Sequence, residues 1–328
     1  MSVRILQSSE TFKEALNILN DLNVHSGSDL GKHLGISRTA VWKITKKLEK
    51  YGVKFNSDSK GYQLKDPLVL LDEKKIRAHT SSQDYSIEIY ESLGSTNDHL
   101  LISNLPPVPP HFCFAEFQEK GRGRLGRQWH SPFGANVVFS LSRVFDRDMG
   151  DLSGLSLVIG ICIIEALKDS GIEADLKLKW PNDVYLNGVK VEGNLIDVRA
   201  EANGHCQAII GVGLNVNMLP EKGISIDQEW TSLAYALDQK FERNILAANL
   251  IDVLLRNLTL FNEKGFNVFF DRWQSLDFLE GKDVALMQLT QKKEGRVLGV
   301  DNRGYLLIED KEGSTQSYSS GEAILLKG

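Results

Sequence analysis

The run Gly121–Trp129, GRGRLGRQW, alternates three glycines with three arginines. It is unsuited to a core, because glycine costs backbone entropy and arginine resists burial. In a loop, the glycines let the backbone approach a ligand and expose N–H groups. The arginines, Arg122 and Arg124 foremost, offer bidentate donors to a carboxylate or phosphate. Such a loop orders around an anion, with Trp129 stacked on a flat aromatic ligand or anchoring the loop. A second run, KWPNDVYLNGVKVEGNLID (Lys179–Asp197), reads as a strand, a turn at Pro181-Asn182-Asp183, a hairpin tip at Asn187-Gly188 and a returning strand. Lys179 and Lys190 face each other across the hairpin or flank a shared pocket. Two cations beside an Asn-Asp turn suit a polyphosphate, and Asp183 is a candidate magnesium ligand. The third run, IIGVGLNVN (Ile209–Asn217), places Gly211 and Gly213 inside a strand, where a ligand or another backbone comes close.

The sequence contains no G-x-x-x-x-G-K-[ST] loop, G-x-S-x-G elbow or H-E-x-x-H helix. Cys113, Cys162 and Cys206 are odd in number and far apart, with no metal spacing or disulfide framework, so they read as small core residues in a reducing cytoplasm. The seven histidines are scattered, and each is expected on the surface or in the core rather than as a ligand. The site is therefore built from backbone N–H groups and cations.

These runs need a scaffold. With 328 residues, 42% hydrophobic and 25% charged, the chain is globular and has room for about two domains. Its longest apolar stretch, Leu155 to Leu167, falls short of the roughly 20 residues of a membrane span and reads as a core helix. The amino terminus has no export signal. Between residues 85 and 217, strand-like runs (86–91, 112–118, 136–144, 175–179, 189–198, 208–216) alternate with helical ones (97–104, 154–170), giving a mixed α+β body. A helix from Leu68 to His79 connects it to the segment before, and Pro106–Pro110 mark a stiff loop. From Phe278 onward, short strands at 283–286, 294–300, 305–309 and 324–326 suggest a small β-barrel.

The net charge of −5 is unevenly spread: residues 1–66 carry 11 Lys and Arg against 7 Asp and Glu, and the remainder 27 against 36. A basic head on an acidic body suits a polyanion partner for the head alone. Phe12, Leu16 and Leu19 recur at helical spacing; Ser28 caps a second helix that ends at Gly35; Ser37 caps a third with a stripe of Val41, Ile44, Leu48 and Tyr51. Opposite this stripe lie Arg38, Thr39, Lys43, Lys46, Lys47 and Lys50. A hairpin around 56–61 follows. The pattern is a winged helix-turn-helix, in which the lysines grip phosphates and Arg38, Thr39 and Lys43 near the helix start reach bases.

With GRGRLGRQW, KWPND, the lysine of KVEGNLID and GVGLNVN in this order, the chain resembles the biotin–protein ligases, and with its head the bifunctional ligases that also repress biotin operons. The resemblance implies a winged-helix head (1–66), a central mixed α/β catalytic domain of class-II-synthetase type (67–275) and an SH3-like β-barrel (276–328). It implies that ATP and biotin, with Mg2+, form biotinyl-5′-AMP, and that biotin passes to a lysine of biotin carboxyl carrier protein. It matches Ser95, Thr96, Asn97, Gln118, Arg122, Gly123 and Arg124 to biotin contacts and Lys190 to the reacting carboxylate and phosphate. Gly211 and Gly213 floor the biotin pocket; Trp129, Asn182 and Asn215 match the adenylate side. The adenylate is also implied to act as corepressor of a homodimer on operator DNA, away from any membrane. Asn194, Asp197 and Leu125 depart from the usual aliphatic residue, glutamate and arginine of the family. Two rival readings, a monofunctional ligase and a ligand-sensing transcription factor without ligase activity, are separated from this one by DNA gel shift and by ATP–pyrophosphate exchange.

Overall fold

The computed structural model describes residues 10–103, 108–200, 205–220, 226–288 and 291–326. Asn104 and part of the proline-rich loop expected at 106–110 lie outside them.

The head holds α1 (Glu10–Leu19), α2 (Gly27–Leu34), α3 (Arg38–Lys50) and a hairpin of β1 (Phe55–Ser57) and β2 (Tyr62–Leu64). Ser26, not Ser28, caps α2, accepting from Asp29 N, because its backbone is the extended one; Gly35 closes the helix in the left-handed region at φ 64°. Ser37 caps α3 as expected, accepting from Ala40 N.

The segment after the head forms a helix only over α4 (Glu73–His79); Leu68–Leu71 before it is not helical. Its backbone is claimed by distant side chains. Leu71 N donates to Glu116 at 2.5 Å, Leu70 O accepts from Asn244 at 3.2 Å, and Val69 O accepts from Arg243 at 2.5 Å. A helix would withdraw those groups into i→i−4 bonds.

The body is a seven-stranded sheet in the order β3-β4-β5-β9-β8-β7-β6. Its strands are β3 (Ser86–Tyr90), β4 (His111–Ala115), β5 (Val137–Phe145), β6 (Leu176–Lys179), β7 (Asp183–Leu186), β8 (Val189–Ala200) and β9 (Cys206–Leu214). Only β3 and β4 run parallel. The short helix α5 (Thr96–Ile102) lies against β4, β5 and β9. The sheet also packs against α6 (Leu155–Asp169) and α8 (Arg243–Lys264), which pack on each other.

Two helical stretches, Met149–Asp169 and Arg243–Lys264, are long and apolar enough to cross a membrane, but most of each is buried inside the protein. For α6 this is the core role expected from its all-round apolarity. The long α8 follows α7 (Leu233–Leu237) and precedes α9 (Phe270–Leu276).

The last strands are β10 (Asp283–Gln288), β11 (Gln291–Val300), β12 (Leu306–Glu309), β13 (Thr315–Tyr318) and β14 (Glu322–Leu325). They form a five-stranded antiparallel sheet in the order β13-β12-β11-β10-β14. Strand β13 was not anticipated, because Thr-Gln-Ser-Tyr carries almost no apolar signal.

Candidate active site

Two short turns bring the motifs together. Lys179 pairs with Asp183 across the β6–β7 turn, and Tyr185 with Lys190 across the β7–β8 turn at Asn187-Gly188. The strands β8 and β9 then set Gly193 opposite Gly213 and Leu195 opposite Gly211. A cavity of about 990 Å3, counting its open mouth, lies over these positions. All the candidate ligand residues line it except Asn215.

Each glycine of β9 admits a side chain. A Cβ on Gly211 would sit 2.2 Å from Asn97 Oδ1, and one on Gly213 would sit 2.4 Å from Trp129 Cε2. The sequence anticipated a ligand or another backbone at these glycines; the structure puts Asn97 and the indole of Trp129 there. Trp129 Nε1 is buried with no acceptor among the described residues, so a donor remains free beside the cavity.

One wall is a hydrogen-bond chain. Gln118 Oε1 accepts from Thr96 N (2.8 Å) and Thr96 Oγ1 (3.1 Å), and Ser140 Oγ donates to Thr96 Oγ1 (2.7 Å) or Asn97 Oδ1 (2.5 Å). Asn97 Nδ2 donates to Asp197 Oδ2 at 2.9 Å, and Ser95 caps α5 through Asp98 N. Arg122 is held between Asp197 (2.8 Å) and Asp98 (2.9 Å). Asp197 thus bonds both Asn97 and Arg122.

The opposite wall is cationic. Lys190 Nζ lies 2.8 Å from Asp183 Oδ1, and 5.6 Å from the centre of the Trp129 ring. Lys179 Nζ bonds Tyr185 Oη at 3.2 Å. Burial holds the Lys179 ammonium below its ordinary value, opposed by Asp183 and aided by Lys190. Arg124 donates to Asn182 Oδ1 and to Gly321 O, each at 3.0 Å. Arg127 makes a bidentate pair with Glu322 at 2.7 and 2.8 Å, which holds the Glu322 carboxyl low. The arginine loop is therefore tied to the C-terminal sheet. Sequence reasoning noticed Arg127 but gave it no role, and it missed Tyr185, Gln228 and Glu322. Glu322 lies 195 residues from its partner and leaves no local signal.

Asn215 does not line the cavity. It lies past the end of β9, only 4% exposed, and both ends of its amide are engaged: Nδ2 donates to Thr231 O at 3.0 Å and Oδ1 accepts from Asn136 at 3.3 Å. It braces the strand end. Asn194 likewise bonds Ser156 and Asn182 O, fixing the turn that presents Asn182.

In the head, Arg38, Thr39, Lys43 and Lys46 are exposed along α3 with Ser37 at its cap, and Lys46 pairs with Glu49. The exposed Trp42 lies among them and was not foreseen. Lys47, expected among the phosphate contacts, is placed differently from the other lysines of α3. It forms an ion pair with Glu91, whose side chain is 3% exposed, and lies over the Phe12 and Tyr51 rings. One turn before Tyr51 and one after Ile44, it falls on the inward stripe rather than opposite it.

Three descriptions match in chain order: HTH domain over residues 13–63, Biotin/lipoate A/B protein ligase family over 90–215 and Biotin protein ligase C terminal domain over 281–326. The bifunctional ligase/repressor BirA of Salmonella typhimurium is 36% identical over 311 residues, spanning 94% of this chain and 96% of its own length. The chain belongs to the biotin protein ligase family. The family member BirA of Bacillus subtilis is 31% identical over 302 residues, 90% of this chain and 92% of its own length. Among solved structures, the biotin protein ligase from Aquifex aeolicus in complex with biotin and ATP is 29% identical, with a TM-score of 0.61, covering 74% of this chain and 99% of that one.

Proposed function

We propose that this protein is a bifunctional biotin ligase and repressor. It activates biotin with ATP, transfers it to a lysine of a biotin carboxyl carrier protein in the cytoplasm, and represses biotin genes as an adenylate-bound homodimer on operator DNA. The three matched segments fall one inside each of the proposed domains, 1–66, 67–275 and 276–328.

The observation that carries the enzymatic reading is the cavity itself: Lys179, Lys190 and Arg124 converge opposite a hydrogen-bonding wall of Thr96, Asn97, Gln118 and Ser140. That asymmetry suits a ligand with a polar uncharged head and a polyphosphate tail. In the first step a biotin carboxylate oxygen attacks the α-phosphorus of ATP and the bond to pyrophosphate breaks. In the second, the ε-amine of the acceptor lysine attacks the acyl carbon and AMP leaves with the bonding pair. Negative charge grows on the phosphoryl oxygens in the first step, and preorganised cations stabilise it more than they stabilise the substrates. The unpaired Trp129 N–H and the Arg122 guanidinium supply further donors. Asp183 fits as one carboxylate ligand to a magnesium ion carried by the triphosphate, a common way of holding that ion. Biotin-dependent ATP–pyrophosphate exchange tests the reading; its absence in the folded protein would leave a ligand-sensing repressor.

Arg124→Gly removes the links to Asn182 and Gly321 that hold the loop over the cavity. The adenylate is expected to leave faster and label bystander lysines, read by mass spectrometry of a bystander protein. Retention as tight as in the parent would show that Arg124 does not hold the loop shut.

For the head, Lys43→Ala is expected to weaken operator binding and lower the slope of log affinity against log salt by about one, with exchange activity unchanged. Lys47→Ala should instead leave that slope as it is and lower the unfolding midpoint, since it strands buried Glu91. Fluorescence anisotropy across a salt series, with thermal melts, separates the two.

A further inference from the structure

Four side chains from three elements meet on the α5-bearing face of the sheet, outside the cavity. The parallel pairing of β3 and β4 sets Ser86 beside His111 and Glu88 beside Cys113, so all four share a face. His99, in the last turn of α5, comes down on them. Glu88 Oε2 lies 3.3 Å from His111 Nε2 and 3.4 Å from His99 Nε2. Ligand atoms of Glu88, His99 and Cys113 all lie within 4.8 Å of one another.

Two features go beyond proximity. The His111 side chain is only 6% exposed, and Nδ1 bonds Ser86 Oγ at 2.5 Å, which leaves Nε2 facing Glu88 Oε2 at 3.3 Å. A hydrogen bond of this kind to the other ring nitrogen orients metal-binding histidines. Moreover, bonds of about 2.0–2.1 Å to zinc imply tetrahedral ligand–ligand edges of about 3.3 Å, which is the separation found here between oxygen and nitrogen. Tyr90 Oη donates to Glu88 at 3.0 Å and steadies the carboxylate.

We propose that Glu88, His99 and Cys113, with His111 beside Glu88 as the fourth donor, form a binding site for a borderline divalent transition metal, zinc foremost. Two imidazoles, a carboxylate and a thiolate match that class better than magnesium or calcium, which take oxygen ligands. Burial lowers the His111 imidazole, against the opposing pull of Glu88. Burial also raises the Cys113 thiol, so that metal binding releases its proton. The ion fastens α5 to the β3–β4 edge, and the same helix presents Thr96 and Asn97 to the cavity.

The test uses the full chain, stripped with a chelator and titrated with Co2+. The expected absorption is the strong visible band of four-coordinate cobalt, with a sulfur-to-metal charge-transfer band that one equivalent of Zn2+ abolishes. Cys113→Ser should lose the charge-transfer band alone. His99→Gln with His111→Gln should weaken zinc by more than about a hundredfold, since losing only a hydrogen-bond partner of a ligand costs about 10–100-fold. A weak six-coordinate spectrum in the parent, a spectrum with no sulfur band, or zinc affinity unchanged in the double variant would each overturn the site.

Discussion

Lys190→Ala slows pyrophosphate exchange by about 10²–10³-fold, the effect of removing one preorganised donor from a charge-developing transition state. Lys190 stands at the start of β8 with its side chain 11% exposed, held by Asp183 at 2.8 Å and lying over the Trp129 ring at 5.6 Å. Its position is thus set before any ligand arrives, and no reorganisation is needed during the reaction. Lys179 is a second cation nearby, but it is bonded to Tyr185 and cannot take over without breaking that contact. The loss should fall on kcat and kcat/KM together, because a contact stronger in the transition state than in the ground state affects both. Thermal melts of the variant control for the stranded Asp183. A slowing of less than about tenfold, with the melt unchanged, would remove Lys190 from the adenylation step.

The second large effect is on stability. Arg243, at the start of α8, and Glu116 are 1% and 4% exposed and lie 2.8 Å apart. Arg243 also donates to Asn136 O and Val69 O, and Glu116 accepts from Leu71 N. Arg243→Ala leaves a buried carboxylate without its cation and three carbonyl and carboxylate groups short of donors. A loss of about 3–5 kcal/mol is expected, the cost of breaking a buried pair from one side. Urea unfolding with the slope unchanged is the measurement, and a loss under about 1 kcal/mol contradicts the assignment. Glu116→Gln added to Arg243→Ala should recover part of the loss but not all, since the linker at 69–71 stays untied. That linker joins the head to the body, so the same variant should loosen the head. Tyr51 stacks on Phe117 and Phe133 there, at centroid distances of 4.5 and 5.6 Å, and Phe117 precedes Gln118 of the cavity wall.

What the sequence carried on its own was whatever is decided within a few residues. The cap at Ser37, the exit at Gly35, the Asn187-Gly188 turn, the wing and the core helix α6 all follow from hydrogen bonds and periodicities that close within four residues. The arginine–glycine loop and the paired lysines were also legible as candidates, since their composition is unfit for a core, and they line one cavity. Even the errors have a local origin: Ser28 differs from Ser26 only in backbone conformation, and Leu68–Leu71 has helical residues whose backbone groups are taken by partners far along the chain.

Tertiary structure decided which of two available uses each polar group took. Lys47 could meet solvent phosphate or a buried carboxylate, and the docking of the head on Glu91 chose the latter. Asn215 had the residue type of a ligand contact, but Asn136 and Thr231 occupy its amide. Glu322 joins the site only because the terminal sheet folds over the arginine loop. Glu88, His99, His111 and Cys113 carry no spacing that signals a metal, and only the parallel pairing of β3 with β4 beneath α5 gathers the other three around Glu88. Sequence spacing reports neighbours along a helix or hairpin; a sheet register between distant strands is set by how the whole core packs, and no short motif encodes it.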